Sequence, residues 1–244
     1  MVCNQSDPAV SSKVRIAAFD FDGTCIKGNS PVMLVRHLKR NGMIRKRILS
    51  KILLWAAAYK LRLPQEEAWV RGLVFTAFEG MDKKRADQFL MDFYDSVIEL
   101  GGRFRAQAHQ TMERLQADGV EVLIVSATFE PIVRRAVQCH PVDGQLATHM
   151  AVDSEGRYIT RVEGECIEGE AKVRAIKEYA DAKYGEGAWE LSHAFGDHHS
   201  DAAMLSAAVH PFAVNPDNPL SRCAKRNGWT ILEWSDDPAP ICIP

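Results

Sequence analysis

The chain has 244 residues, 46% apolar and 25% charged, an ordinary globular composition long enough to bury a core without disulfide or metal staples. Its formal net charge of -2 supplies no global basic field for nucleic acid. The six cysteines (Cys3, Cys25, Cys139, Cys166, Cys223 and Cys242) are scattered without a C-x-x-C pair, which argues against a zinc site or disulfide framework and fits a reducing, cytoplasmic setting.

In chain order, residues 1 to 13 read as a polar leader with no secretory pattern. Val14 to Phe19 is a compact apolar strand running into Asp20-Phe21-Asp22-Gly23-Thr24. From Ser30 to Leu100 the pattern is helical. Ser30 is expected as an N-cap with Pro31 as the first helical residue, and Gly42 as the stop. A second helix is expected over Arg45 to Leu61, and a third from Pro64 to just before Gly80. A fourth, capped by Asp82, carries Ala86, Phe89, Leu90, Phe93 and Val97 at helical spacing and closes at Gly101-Gly102. The apolar cluster Ile52 to Tyr59 is too short to span a bilayer. The block reads as a helical insert, residues 29–101, with its own small core. The remaining residues, 1–28 and 102–244, form an α/β core.

Past Gly102 strands and helices alternate. A helix is expected over Phe104 to Ala117, a strand over Val120 to Val125 ending in Ser126-Ala127-Thr128, and a helix from Pro131. A hairpin over Thr148 to Val162 turns at Ser154-Glu155-Gly156, followed by a helix over Glu170 to Lys183. The strand His193 to Phe195 meets Gly196-Asp197, a helix starts near Asp201, and Pro211 to Val214 is the last core strand. Such alternation implies a Rossmann-like parallel sheet with helices on both faces.

Four features fall at strand ends or helix starts, where open α/β sheets bind ligands. In Asp20-x-Asp22, one carboxylate can attack phosphorus while the other donates or accepts a proton; an acidic turn is the bland alternative. Ser126 and nearby backbone N–H groups can hold phosphoryl oxygens, or the serine can simply cap a helix. Lys172 can neutralise a phosphate and a carboxylate, or sit solvated. Asp197 and Asp201 suit a hard cation such as Mg²⁺. His198 and His199 between them raise zinc, but adjacent histidines point apart, and a polar loop at the site mouth is the simpler reading.

The order Asp-x-Asp-Gly-Thr, strand-Ser, Lys, Gly-Asp-x-x-x-Asp resembles the haloacid dehalogenase superfamily of phosphatases over nearly the whole chain. The insert looks like that superfamily's first, helical cap type. Val125 to Pro131, Gly169 to Lys172 and Phe212 to Asp217 resemble its phosphoserine-phosphatase-like subfamily. The resemblance implies Asp20 as nucleophile and metal ligand, and Asp22 as general acid and base that offers its backbone carbonyl to Mg²⁺. It implies Ser126, Ala127 and Lys172 as phosphate binders, Asp197 as direct metal ligand, and Asp201, Gly23 and Thr24 as support. Ser200 stands where close phosphoserine phosphatases have asparagine, and Asn29 where they have a substrate-binding glutamate. The expected activity is Mg²⁺-dependent hydrolysis of a small phosphorylated metabolite through an aspartyl-phosphate, with no nucleic-acid partner. A phosphotransferase and a receiver-type phospho-acceptor module are the alternatives. A lipid-phosphate phosphatase is a third, since the helix over Arg45 to Leu61 is basic and amphipathic, although a cap helix burying its apolar face is the simpler reading. Gly28-Asn29 and Gly101-Gly102 mark the junctions of the insert.

Overall fold

Seven strands form one sheet in the order β4-β3-β2-β1-β5-β6-β7: β1 (Val14–Phe19), β2 (Glu121–Phe129), β3 (Gly144–Val152), β4 (Tyr158–Glu163), β5 (Trp189–Gly196), β6 (His210–Val214) and β7 (Thr230–Leu232). The architecture comes from a computed structural model that describes residues 13–43 and 75–242. All neighbouring strands are parallel except the antiparallel pair β3–β4. The expected parallel sheet is found, and the expected hairpin supplies its one antiparallel edge strand, β4.

β1 is central, which explains its unbroken apolar run: a strand covered on both faces has no polar side. Its alternate residues divide between two cores. Ala17 and Phe19 join Val122 and Ile124 on one face, whereas Ile16 and Ala18 join Leu123 and Val125 on the other. The second face is covered by α5 (Glu170–Tyr184), α6 (Ala202–Ala207) and α7 (Asn218–Asn227), through Ile176, Met204, Leu205 and Leu220.

The first face carries α3 (Ala106–Ala117), α4 (Glu130–Cys139) and the described part of the insert: α1 (Ser30–Arg40), a helical turn at 75–78, α2 (Lys83–Phe93) and a π-helical turn (Tyr94–Glu99). Among the described residues the insert has no separate core. Leu34, Leu38, Phe75, Phe78, Leu90 and Phe93 belong to the same cluster as Phe21, Phe129, Ile132 and Val133. The expected basic helix over Arg45 to Leu61 and most of the third helix lie outside the described residues, as does nearly all of the leader.

Several elements differ from expectation; β3 and β5, for example, begin at Gly144 and Trp189, four residues before Thr148 and His193. Asn29, not Ser30, caps α1: its Oδ1 accepts the Val32 N–H at 3.1 Å, making Ser30 the first helical residue and Pro31 the second. Past Val214, the chain adds α7, capped by Asp217 and stopped by left-handed Gly228, and then the three-residue β7. Finally, β2 runs through Ser126 to Phe129, but its pairing with β3 shifts register between Ser126 and Phe129, which releases Ala127 and Thr128 from the ladder at the sheet's carboxyl edge.

The two chain crossings into the insert pair with each other. Lys27 N–H donates to the Arg103 carbonyl at 2.8 Å and Arg105 N–H to that of Cys25 at 2.9 Å. The C-terminal tail lies across them. Asp236 accepts from Lys27 at 2.6 Å and from Arg105 at 2.7 Å, Ala239 N–H donates to the Phe104 carbonyl at 2.7 Å, and Cys242 N–H donates to Glu99 at 2.6 Å.

Candidate active site

The loops after β1, β2 and β5 and the first turn of α5 converge at the carboxyl edge of the sheet, as the parallel topology requires. They enclose a cavity of about 280 Å³ lined by Asp20, Asp22, Gly23, Asn29, Ser126, Ala127, Lys172, Asp197 and Asp201, together with Gly28, Pro31, Thr128, Glu168, His198 and Ser200. Of the residues expected in the site, Thr24 is absent from this lining, as is His199 of the expected mouth loop. Thr24 sits behind, buried, with its hydroxyl donating to Asp197 Oδ1 at 3.3 Å.

Asp20 follows β1 directly, and its N–H donates to the Phe195 carbonyl of β5 at 2.9 Å. Only 7% of it is exposed. Lys172, 2% exposed, bridges Asp20 Oδ1 at 2.5 Å and Asp201 Oδ1 at 2.6 Å. Burial alone would lower the lysine, but the two carboxylates more than offset it and hold Lys172 above its ordinary value. Burial pushes Asp20 well up; Lys172 works against this while Asp201 and Asp197 add to it. Asp197 is pushed up to about 8, chiefly by burial and then by Asp201.

Three carboxylates thus face one ammonium in a buried space. Ligand oxygens of Asp20, Asp197 and Asp201 all lie within 4.8 Å of one another. An all-oxygen, negatively charged donor set of this kind fits a hard divalent cation. No histidine belongs to it. His198 instead turns its Nδ1 to the Ser200 hydroxyl at 3.0 Å and its Nε2 toward Asp217 at 3.6 Å. The polar-loop reading of the His pair therefore fits the geometry, and Ser200 serves that loop.

Close packing explains two glycines. A Cβ on Gly23, whose φ is +82°, would fall inside van der Waals contact with the Asp197 carboxylate. A Cβ on Gly196 would meet Asp201 Cβ at 2.6 Å. Ser126 is buried and its Oγ accepts the Thr128 N–H at 3.1 Å.

Sequence reasoning missed the surroundings of Asp22. Its carboxylate accepts from the Ser30 N–H, from Ser30 Oγ at 2.9 Å and from Thr128 Oγ1 at 2.5 Å. Period-2 alternation from Ser126 would have placed Thr128 on the same side of β2, but no spacing rule brings Ser30 there. Asn29 does line the cavity, though its amide oxygen is committed to capping α1.

A doubly covered α/β sheet with acidic residues and a lysine at its carboxyl edge defines a Rossmann-like hydrolase core. The model of the haloacid dehalogenase-like hydrolase family matches residues 17–206, and the chain belongs to that family. It is 28% identical over 226 residues to the inhibition of morphological differentiation protein of Streptomyces azureus, covering 89% of this chain and 78% of that one. It is 26% identical over 225 residues to a phosphoserine phosphatase of Mycobacterium tuberculosis, covering 89% and 70%. Among solved structures, a substrate-bound phosphoserine phosphatase complex superposes with a TM-score of 0.61 at 20% identity, covering 90% of this chain and 93% of that one. The chain is an enzyme of the phosphatase type, and its fold is like that of phosphoserine phosphatases. Among the described residues no helix is long and apolar enough to cross a membrane.

Proposed function

We propose that the protein hydrolyses a small phosphate monoester through a phosphoryl group carried transiently on Asp20. The observation that supports this most is the buried Lys172 bridge between Asp20 and Asp201 at the floor of a cavity. A lysine there favours the ionised form of Asp20 against burial and offsets the repulsion between a carboxylate and a phosphate dianion.

Asp20 is the nucleophile. One of its oxygens bonds to phosphorus as the ester P–O bond breaks, and Asp22 gives its proton to the departing alkoxide. Asp22 then takes a proton from water as that water attacks phosphorus, so Asp20 is released as carboxylate and inorganic phosphate leaves. Ser126, the unpaired backbone at Ala127 and Lys172 hold the phosphoryl oxygens. Mg²⁺ suits the donor set of Asp20, Asp197 and the Asp22 backbone carbonyl, with Asp201 in support, and when bound supplies positive charge to the phosphoryl oxygens. Thr24 orients Asp197, and Gly23 leaves room for it.

Residues 29–101 form the cap over this site and residues 1–28 and 102–244 the catalytic core. The substrate is a small phosphorylated metabolite. Because Asn29 brings no charge to an ammonium, L-phosphoserine is expected to be a poor substrate. Phosphate release from a panel of amino-acid, sugar, nucleotide and lipid phosphates tests the assignment. Activity should vanish in chelator, return with Mg²⁺ and be lost in Asp20→Asn. Full activity in chelator, or in Asp20→Asn, would falsify it.

A further inference from the structure

Asp22 stands at the joint between the core and the insert, and its carboxylate is held from both sides. Thr128 belongs to β2, in the stretch that has left the sheet ladder. Ser30 is the first residue of α1, at the start of the insert. Both are buried, at 3% and 0% exposure, and their hydroxyls lie 3.0 Å apart, closing a triangle with Asp22 Oδ2. The Ser30 backbone N–H meets the other carboxylate oxygen. Through its own N–H, Thr128 is also tied to Ser126 Oγ at 3.1 Å.

We propose that Ser30 and Thr128 are positioning residues for Asp22, aiming its carboxyl at the leaving-group oxygen and making protonation of that oxygen depend on where the first turn of the insert sits. This rests on the reading of Asp22 as proton donor. A carboxylate on a short side chain swings about two torsions, and donors on both oxygens restrict it to one orientation. A proton donor is effective only within hydrogen-bond reach of the atom it protonates. Buried hydroxyls that only filled space would not need to direct their hydrogens at one carboxylate. Displacement of α1 would carry Ser30 away and leave the acid held by Thr128 alone among these contacts.

The two roles, positioning and packing, separate by leaving group. Thr128→Val and Ser30→Ala are compared with the unmodified protein on glycerol 2-phosphate, whose alkoxide needs a proton, and on 4-nitrophenyl phosphate, whose phenolate does not. The quantity read is kcat/KM, which reports steps through ester cleavage and not the later hydrolysis of the phosphoryl-enzyme. Each variant is expected to lose about ten- to a hundredfold on glycerol 2-phosphate, part of the hundredfold or more typical of a whole general acid. On 4-nitrophenyl phosphate the expected loss is less than about threefold, and Thr128→Ser should restore the alkyl ester rate. Equal losses on both esters would mean a structural role and overturn the proposal, as would no loss on either. If Thr128→Val fails to fold, Thr128→Ser and Ser30→Ala still give the comparison. Activity retained by Asp20→Asn would instead bring down the phosphatase mechanism beneath it.

Discussion

Lys172 is the residue on which the site's electrostatics turn. Replacing it with methionine keeps its volume but leaves Asp20 and Asp201 facing each other without a cation. Breaking a buried ion pair by removing one partner costs about 3–5 kcal/mol. Lys172→Met should therefore melt well below the unmodified protein and lose at least about a hundredfold in activity, with added Mg²⁺ recovering part of the melting temperature but not the rate. An unchanged melting curve would show that the carboxylates do not need this ammonium. Gly23→Ala tests the same site through sterics, because its methyl group would displace Asp197. Here activity should fall at saturating substrate and the Mg²⁺ concentration for half-activity should rise. These residues were legible because each lies at a strand end or a helix start, where an acid, a lysine or a glycine stands out in the sequence. Thr128 and Ser30 were not, since a hydroxyl gains a role at Asp22 only once strand register and helix entry have brought it there.

At the scale of elements, the C-terminal tail fastens the two crossings between core and insert. Arg105, buried, donates to the Ser235 carbonyl at 2.7 Å as well as to Asp236, while the Lys27–Asp236 pair is half-exposed. Arg105→Ala should cost on the order of 2 kcal/mol or more, whereas Lys27→Ala should cost little and its effect should shrink in salt. Hydrogen exchange at the Lys27 and Arg105 amides, which pair across the crossings, should speed up in Arg105→Ala. Protection that stays unchanged would show that the tail merely lies there. Long elements with regular periodicity were readable in the sequence, among them β1, α5 and the hairpin turning at Gly156. The tail and the three-residue β7 were not, because they are held by backbone hydrogen bonds and single side chains that leave no periodic trace.

For the whole molecule, the shared apolar cluster bears on how the insert and core relate. Leu34, Leu38, Phe75, Phe78, Leu90 and Phe93 each bury a side chain worth about 1.5–3 kcal/mol. Together they rival the about 5–15 kcal/mol that holds a typical domain folded. A chain in which a short linker replaces residues 29–101 should therefore lose cooperative thermal unfolding and bind hydrophobic dye, although the alternation of strands and helices was readable without the insert. A sharp unfolding transition in that shortened chain would contradict it. The site and the described helices of residues 30–99 then form one folding unit, which places the proposed acid Asp22 at a seam within a continuous core.

A phosphoryl group carried on Asp20 can be read chemically. Borohydride reduces an aspartyl-phosphate to homoserine, so protein quenched during turnover of 4-nitrophenyl phosphate, reduced and digested can be sequenced by mass spectrometry. Homoserine is expected at position 20, more of it in Asp22→Asn because hydrolysis of the phosphoryl-enzyme is slowed, and none in Asp20→Asn. Steady phosphate release with no reduction product at position 20 in either the unmodified protein or Asp22→Asn would contradict phosphoryl transfer to Asp20.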